Sequence, residues 1–196
     1  MVRLDEKVSY LDMDGLICNF CRGLLKAHNR QDLLEEEAKG IFPTDWNFGG
    51  KLGTEYYLWK PVDIIGEEFW ENLEPYPWME EVLTILEDSG IKWYLTTCAR
   101  NDPASYSGKM KWIHHHLGGF FQDVIMIKDK YLLAHENALL IDDNEDNVHM
   151  FRDCGGQAHL FSQPWNYANT CSEARIEDLK IYVTCFKEGT LCYDRN

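Results

Sequence analysis

Val8-Ser9-Tyr10-Leu11-Asp12-Met13-Asp14-Gly15-Leu16 is the stretch on which the reading of this chain turns. The run from Val8 to Leu11 suits a buried strand, and Gly15 permits a sharp turn at its end. An Asp-x-Asp loop at a strand end can aim one carboxylate and one neighbouring backbone carbonyl at a single metal ion. The other side chain is then free to move a proton. Two carboxylates this close repel each other unless a cation lies between them, and a hard, oxygen-preferring ion such as Mg²⁺ is the natural partner. On its own the same spacing also describes a polar strand-to-helix loop. The rest of the chain decides between the two.

Working outward, apolar runs at Ile91–Thr97, Val124–Ile127, Ala138–Ile141 and Ala158–Phe161 predict further strands. Helical periodicity covers Asn19–His28, Gln31–Lys39, Trp78–Ser89 (stopping at Gly90), Lys109–Leu117 (stopping at Gly118-Gly119), Asp146–Cys154 and Glu173–Phe186. Alternating strands and helices predict an α/β fold: a Rossmann-like parallel sheet flanked by helices. Between Ile41 and Phe69 the pattern breaks into an aromatic, glycine-rich segment with Trp46, Tyr56, Tyr57 and Trp59. The expected organisation is a core of residues 1–17 and 74–196. Residues 18–73 form a small, mainly helical cap inserted after the first strand.

In such sheets ligands bind beyond the carboxyl ends of the strands, and three more polar clusters fall there. Tyr94-Leu95-Thr96-Thr97-Cys98 ends a strand in hydroxyls, Ile127-Lys128-Asp129-Lys130 follows one with two cations, and Leu140-Ile141-Asp142-Asp143-Asn144 ends one in paired acids. Acids for a metal, a hydroxyl for a phosphoryl oxygen and a lysine for its charge are what phosphoryl transfer needs.

With these residues in this order the chain resembles the haloacid dehalogenase-like phosphatases. Their hhhDxDG, hhhT, Lys and hhhDD pattern is met by Tyr10–Gly15, Tyr94–Thr97, Lys130 and Leu140–Asp143. Within that superfamily it is most similar to the 5′(3′)-deoxyribonucleotidases, through Asp12-Met13-Asp14-Gly15-Leu16 with Phe20, Phe69–Pro75, and Ser107–Trp112. The resemblance implies Asp12 as nucleophile and metal ligand, and Asp14 as general acid then base, with its backbone carbonyl on the metal. It also implies Thr97 and Lys130 on the phosphoryl group, Asp143 completing the Mg²⁺ site, and Asp142 supporting it. Lys109 falls at a second phosphate-binding position, with Cys98 where a second hydroxyl is usual. Phe20 and Trp70 fall at base-stacking positions, and Trp46 in the aromatic insert is a third candidate. The implied activity is Mg²⁺-dependent dephosphorylation of nucleoside 5′- or 3′-monophosphates through an aspartyl-phosphate. The rivals are another small phosphoester, a nucleic-acid end, or a silent nucleotide-binding module.

Composition narrows the partners. Nineteen basic against 33 acidic residues give a net charge of −14 with no basic run, which argues against long nucleic acid but not against a nucleotide. No apolar run approaches a membrane span, and the charged first residues lack a signal-peptide core. The expectation is a cytoplasmic protein with reduced cysteines; a homodimer is left open. Cys18-Asn19-Phe20-Cys21 has no second pair at zinc spacing. In His114-His115-His116 successive helical positions point in different directions, so a solvated helix end is expected.

Overall fold

A computed structural model describes residues 6–40, 50–53, 55–168 and 172–190. Five parallel strands, β1 (Val8–Asp12), β2 (Lys92–Thr97), β3 (Val124–Met126), β4 (Ala138–Asp142) and β5 (Gln157–Leu160), form one sheet in the order β3-β2-β1-β4-β5. The α/β reading therefore holds. Every residue of β1 and β4 is buried, as a parallel strand covered on both faces requires. Alternation sorts their side chains. Leu11, Leu139 and Ile141 join one apolar core, and Val8, Tyr10, Ala138 and Leu140 join the other with Val148 and Phe151.

The helices are α1 (Phe20–Ala27), α2 (Gln31–Ala38), α3 (Glu55–Ile65), α4 (Glu67–Glu71), α5 (Met79–Ser89), α6 (Pro103–Leu117), α7 (Glu145–Asp153) and α8 (Ser172–Glu188). Three differ from the sequence reading. Helix α6 begins six residues before Lys109, because Asp102 caps it by accepting from Ser105 N at 2.8 Å and Pro103 sits in its first turn. The small and polar residues of Ala104–Gly108 hid that start. Helices α3 and α4 occupy part of the aperiodic stretch, where Pro61 within α3 and Gly66 between the two obscure the period.

The segment between β1 and α5 leaves and returns at one place. Asn19 N donates to Glu74 O at 2.8 Å, and Tyr76 N to Ile17 O at 2.9 Å. Its apolar residues, Leu24, Leu33, Val62, Phe69 and Trp70 among them, are continuous with the core on one sheet face. Helix α4 lies directly on α6. A Cβ at Gly108 would stand 2.6 Å from Glu67 O and 2.7 Å from Trp70 Cβ, so only glycine allows that approach, and it brings Lys109 beneath Trp70.

Candidate active site

The chain runs from β1 outward to β2 and β3, then crosses to β4 on the other side of β1. The strand order thus reverses between β1 and β4, and sheets of this kind bind ligands beyond the carboxyl ends at such a point. Asp12 ends β1, Asp142 ends β4, and Asp143 follows. One carboxylate oxygen from each lies within 4.8 Å of the others, and all three residues are buried. The turn that carries Asp14 is locked by its own backbone: the amides of Ile17 and Cys18 both donate to Met13 O at 3.0 Å. Gly15 has φ +78°, and a Cβ there would collide with the Asp143 carboxylate. Both facts demand glycine.

Two buried lysines divide the acids between them. Lys130 Nζ donates to Asp12 Oδ1 and, at 2.6 Å, to Asp142 Oδ2. Asp142 also accepts from Asn144 N at 2.9 Å and Asn147 Nδ2 at 3.0 Å. Lys109, fully buried, donates to Asp14 Oδ2 and, at 2.8 Å, to Thr97 Oγ1, with its ammonium 5.1 Å from the Trp70 ring centre. Thr97 Oγ1 in turn donates to Asp14 Oδ2 at 3.4 Å. Asp14 Oδ1 is buried with no hydrogen-bond partner among the described residues.

Of the sequence-derived candidates, Asp12, Asp142, Asp143 and Lys130 meet in one group, and Asp14, Thr97 and Lys109 in another. Asp142, expected in a supporting role, stands in the three-acid cluster with Asp12 and Asp143, whereas the Asp14 side chain turns to Lys109 and Thr97. Lys109 shares the Thr97 pocket. Cys98 is exposed on the loop after Thr97, and Lys128 is exposed as well. Cys18 and Cys21 are buried free thiols in the core. Trp46 lies outside the described residues. Phe20 and Trp70 stack on each other, ring centres 5.8 Å apart at 13°, with Trp59 and Phe69 against them. At that spacing no flat ring fits between them.

Sequence reasoning missed the loop after β5. Trp165 Nε1 donates to Asp143 Oδ2 at 2.8 Å, and Asn166 Nδ2 donates to Asp143 O at 2.9 Å. The signal was available, since Gln163-Pro164-Trp165-Asn166 is one more polar cluster beyond the carboxyl end of a strand.

The electrostatics leave the acids short of positive charge. Burial pushes the Asp12 carboxyl up to about 7; Lys130 opposes this, while Asp142 and Asp14 add to it. Burial also holds Asp143 well above the usual carboxylate range, reinforced by Asp12 and Asp142. Burial works against the charge of Lys130, but Asp12 and Asp142 outweigh it and the ammonium stays charged. Three clustered carboxylates, two of them sharing one ammonium, fit a hard divalent cation with oxygen ligands.

That fit has a pH consequence. Between the ordinary Asp value of 3.8 and about 7 the folded, metal-free protein holds a proton on Asp12 that the unfolded chain has lost. Its stability should fall as pH rises through that window. A divalent cation must displace the proton, so its affinity should climb by up to about tenfold per pH unit per proton over the same range. Thermal unfolding in chelator and in Mg²⁺, compared at about pH 5.5 and about pH 7.5, checks both signs. A cation-induced gain that shrinks with rising pH would contradict them.

A family model described as 5′ nucleotidase, deoxy (Pyrimidine), cytosolic type C protein matches residues 6–180. No curated protein gives a significant match to the chain. Among solved structures, a haloacid dehalogenase-like family hydrolase from Xanthomonas campestris is 11% identical with TM-score 0.53, covering 94% of this chain and 93% of its own. A haloacid dehalogenase-like family protein from Streptococcus pneumoniae is 13% identical with TM-score 0.53, covering 92% and 98%. A HAD-hydrolase from Bacillus subtilis bound to magnesium is 12% identical with TM-score 0.52, covering 91% and 98%. At these identities the likeness is one of fold. Among the described residues no helix is long and apolar enough to cross a membrane.

Proposed function

This chain belongs to the family of 5′ nucleotidase, deoxy (Pyrimidine), cytosolic type C proteins and is a phosphatase, and from that premise we propose a Mg²⁺-dependent phosphomonoesterase that dephosphorylates nucleoside monophosphates, deoxy ones foremost, through an aspartyl-phosphate on Asp12. One observation carries the reading: Asp12, Asp142 and Asp143 converge beside Lys130 where the strand order reverses. The cytosol is the proposed compartment, in keeping with the family description. Residues 18–73 are proposed as the cap that closes over the leaving group.

Asp12, Asp142 and Asp143 would hold Mg²⁺, with the Asp14 backbone carbonyl as a further ligand. The cation supplies charge neutralisation, without which a phosphate dianion and a carboxylate nucleophile repel each other. Lys130 adds a fixed positive charge beside Asp12, in a site dry enough for that charge to count. Attack of an Asp12 oxygen on phosphorus breaks the bond to the leaving oxygen, which takes its proton from Asp14. The same Asp14 then accepts a proton from the water that attacks phosphorus and releases Asp12. Its Oδ1 is the oxygen left open for that proton, because Oδ2 is engaged by Lys109. General acid–base help of this kind is worth roughly 10²–10⁴-fold. Thr97 and Lys109 form the far wall of the phosphoryl pocket, under Trp70.

Selectivity must come from what lies over the leaving group, and the aromatic cluster of buried Phe20 and Trp70 with half-buried Trp59 is the candidate. Base–aromatic stacking is worth about 1–3 kcal/mol per contact, or about 5–150-fold in kcat/KM where it persists in the transition state. Nucleoside monophosphates should therefore be hydrolysed in preference to sugar phosphates and phosphoglycolate. Trp70→Ala should narrow the gap while sparing a small aryl phosphate. Phosphate release from such a panel measures this. Equal rates on sugar phosphates and nucleotides would remove the base pocket and leave the general phosphatase. One observation favours a second reading, a smaller phosphoester: Phe20 and Trp70 already stack on each other, so a base must lie against the pair or part it.

A further inference from the structure

The loop after β5 grips both acidic loops of the site at once. Asp143 is held twice by adjacent residues, its Oδ2 by the Trp165 indole N–H at 2.8 Å and its backbone carbonyl by Asn166 Nδ2 at 2.9 Å. The Trp165 ring lies against the catalytic turn, where a Cβ on Gly15 would stand 3.1 Å from its Cζ2. Gln163 Nε2 donates to Gly15 O, and Arg175 of α8 donates to Gln163 Oε1 at 3.4 Å. The Arg175 guanidinium is stacked 4.4 Å from the centre of the Trp78 ring. Gln163 N donates to Asn166 Oδ1 at 3.2 Å, closing the loop on itself. Helix α8 and the turn between Asp12 and Leu16 are therefore joined through Gln163.

We propose that Trp165 is a positioning residue that fixes the Asp143 carboxylate for the divalent cation, so that the loop after β5 sets the affinity of the metal site. The inference rests on the Mg²⁺ reading above. An indole N–H is a donor only and carries no charge, so it cannot neutralise the cluster as Lys130 does. What it supplies is direction. Asp143 accepts at Oδ2 from a ring that is itself wedged against Gly15, which fixes the rotation of the carboxylate. Without the N–H the carboxylate can swing, and each swing costs the cation a charged ligand. Loss of an outer partner of this kind typically lowers metal affinity about 10–100-fold.

The test is Mg²⁺ binding to the metal-free protein by calorimetry, for wild type and Trp165→Phe, which keeps an aromatic ring but removes the donor and part of the bicycle. The expected result is a Kd raised about 10–100-fold. At equal, sub-saturating Mg²⁺ the cation should raise the unfolding temperature less in the variant than in wild type, because the weaker site is less filled. A merely structural role would move the unfolding temperature in chelator and leave Kd alone. Equal Kd values for the two proteins would overturn the inference while leaving the Mg²⁺ site standing; wild type without measurable Mg²⁺ binding would overturn the reading beneath it. Should Trp165→Phe fail to fold, nitrogen-15 spectra of wild type carry the test alone. The assigned Trp165 indole resonance should shift with Mg²⁺ along the calorimetric isotherm. A resonance unmoved at saturation would overturn the proposal.

Discussion

Asp12→Asn should fold, bind nucleotide and turn over at least about 10³-fold more slowly than wild type, because an amide cannot form the acyl-phosphate. The size of the effect follows from position. Asp12 is at the end of the central strand, 6% exposed, with its Oδ1 against Lys130, and no neighbouring carboxylate can replace it. Asp142 is tied to Lys130, Asn144 and Asn147, and Asp143 to Trp165. Single-turnover phosphate release, with thermal unfolding as the control for folding, makes the comparison. A variant keeping more than a few per cent of the wild-type rate would remove Asp12 from the nucleophile's role.

Lys130→Met is the second large effect, and it strikes stability and activity together. The Lys130 side chain is 3% exposed, and its ammonium is shared by two buried carboxylates. Lys109, the nearby buried cation, is committed to Asp14. Removing Lys130 leaves Asp12, Asp142 and Asp143 facing one another, and breaking a buried pair in this way costs about 3–5 kcal/mol. Loss of its charge from the attack site should lower kcat by about 10²–10³-fold. Mg²⁺ should restore more stability to the variant than it adds to wild type, since it returns positive charge to the same acids. Urea unfolding with and without Mg²⁺ reads both quantities. An unchanged midpoint in chelator would show that Lys130 is not what holds the cluster together.

The parts of the site that were legible in the sequence share one physical origin. In a parallel sheet the carboxyl ends of all strands open on the same side, so polar residues that end separate apolar runs must meet. Asp12, Thr97, Lys130, Asp142 and Asp143 are all of this kind, and the structure gathers them. The neighbourhood of each side chain was less legible. Lys109 and Asp14 are 95 positions apart and meet because Gly108 lets α6 approach Trp70, which spacing along the chain does not encode. Phe20 and Trp70 were expected to line a slot for a base, and they face each other closely enough to be each other's partner.

The loop after β5 obeyed the strand-end rule as well. It went unread because Gln163, Trp165 and Asn166 are not ionisable and do not advertise chemistry. Trp165 and Asn166 contribute hydrogen bonds to Asp143, and Gln163 one to the Gly15 carbonyl. Helix α6 was shortened in the reading for a related reason. Its first turns are small and polar, and the evidence for a helix lay in the Asp102 cap and Pro103 rather than in apolar periodicity.

The central claim is that the phosphoryl group passes through Asp12, and one measurement addresses it most directly. In Asp14→Asn an aryl phosphate with a good leaving group needs no acid for the first step, whereas water attack on the intermediate still lacks its base. Acid quenching during the burst, followed by peptide mapping, should find close to one phosphoryl group per chain on Asp12, labile to hydroxylamine. A stoichiometric burst of the released phenol with Asp12 unmodified, or with the phosphoryl group on another residue, would contradict the account.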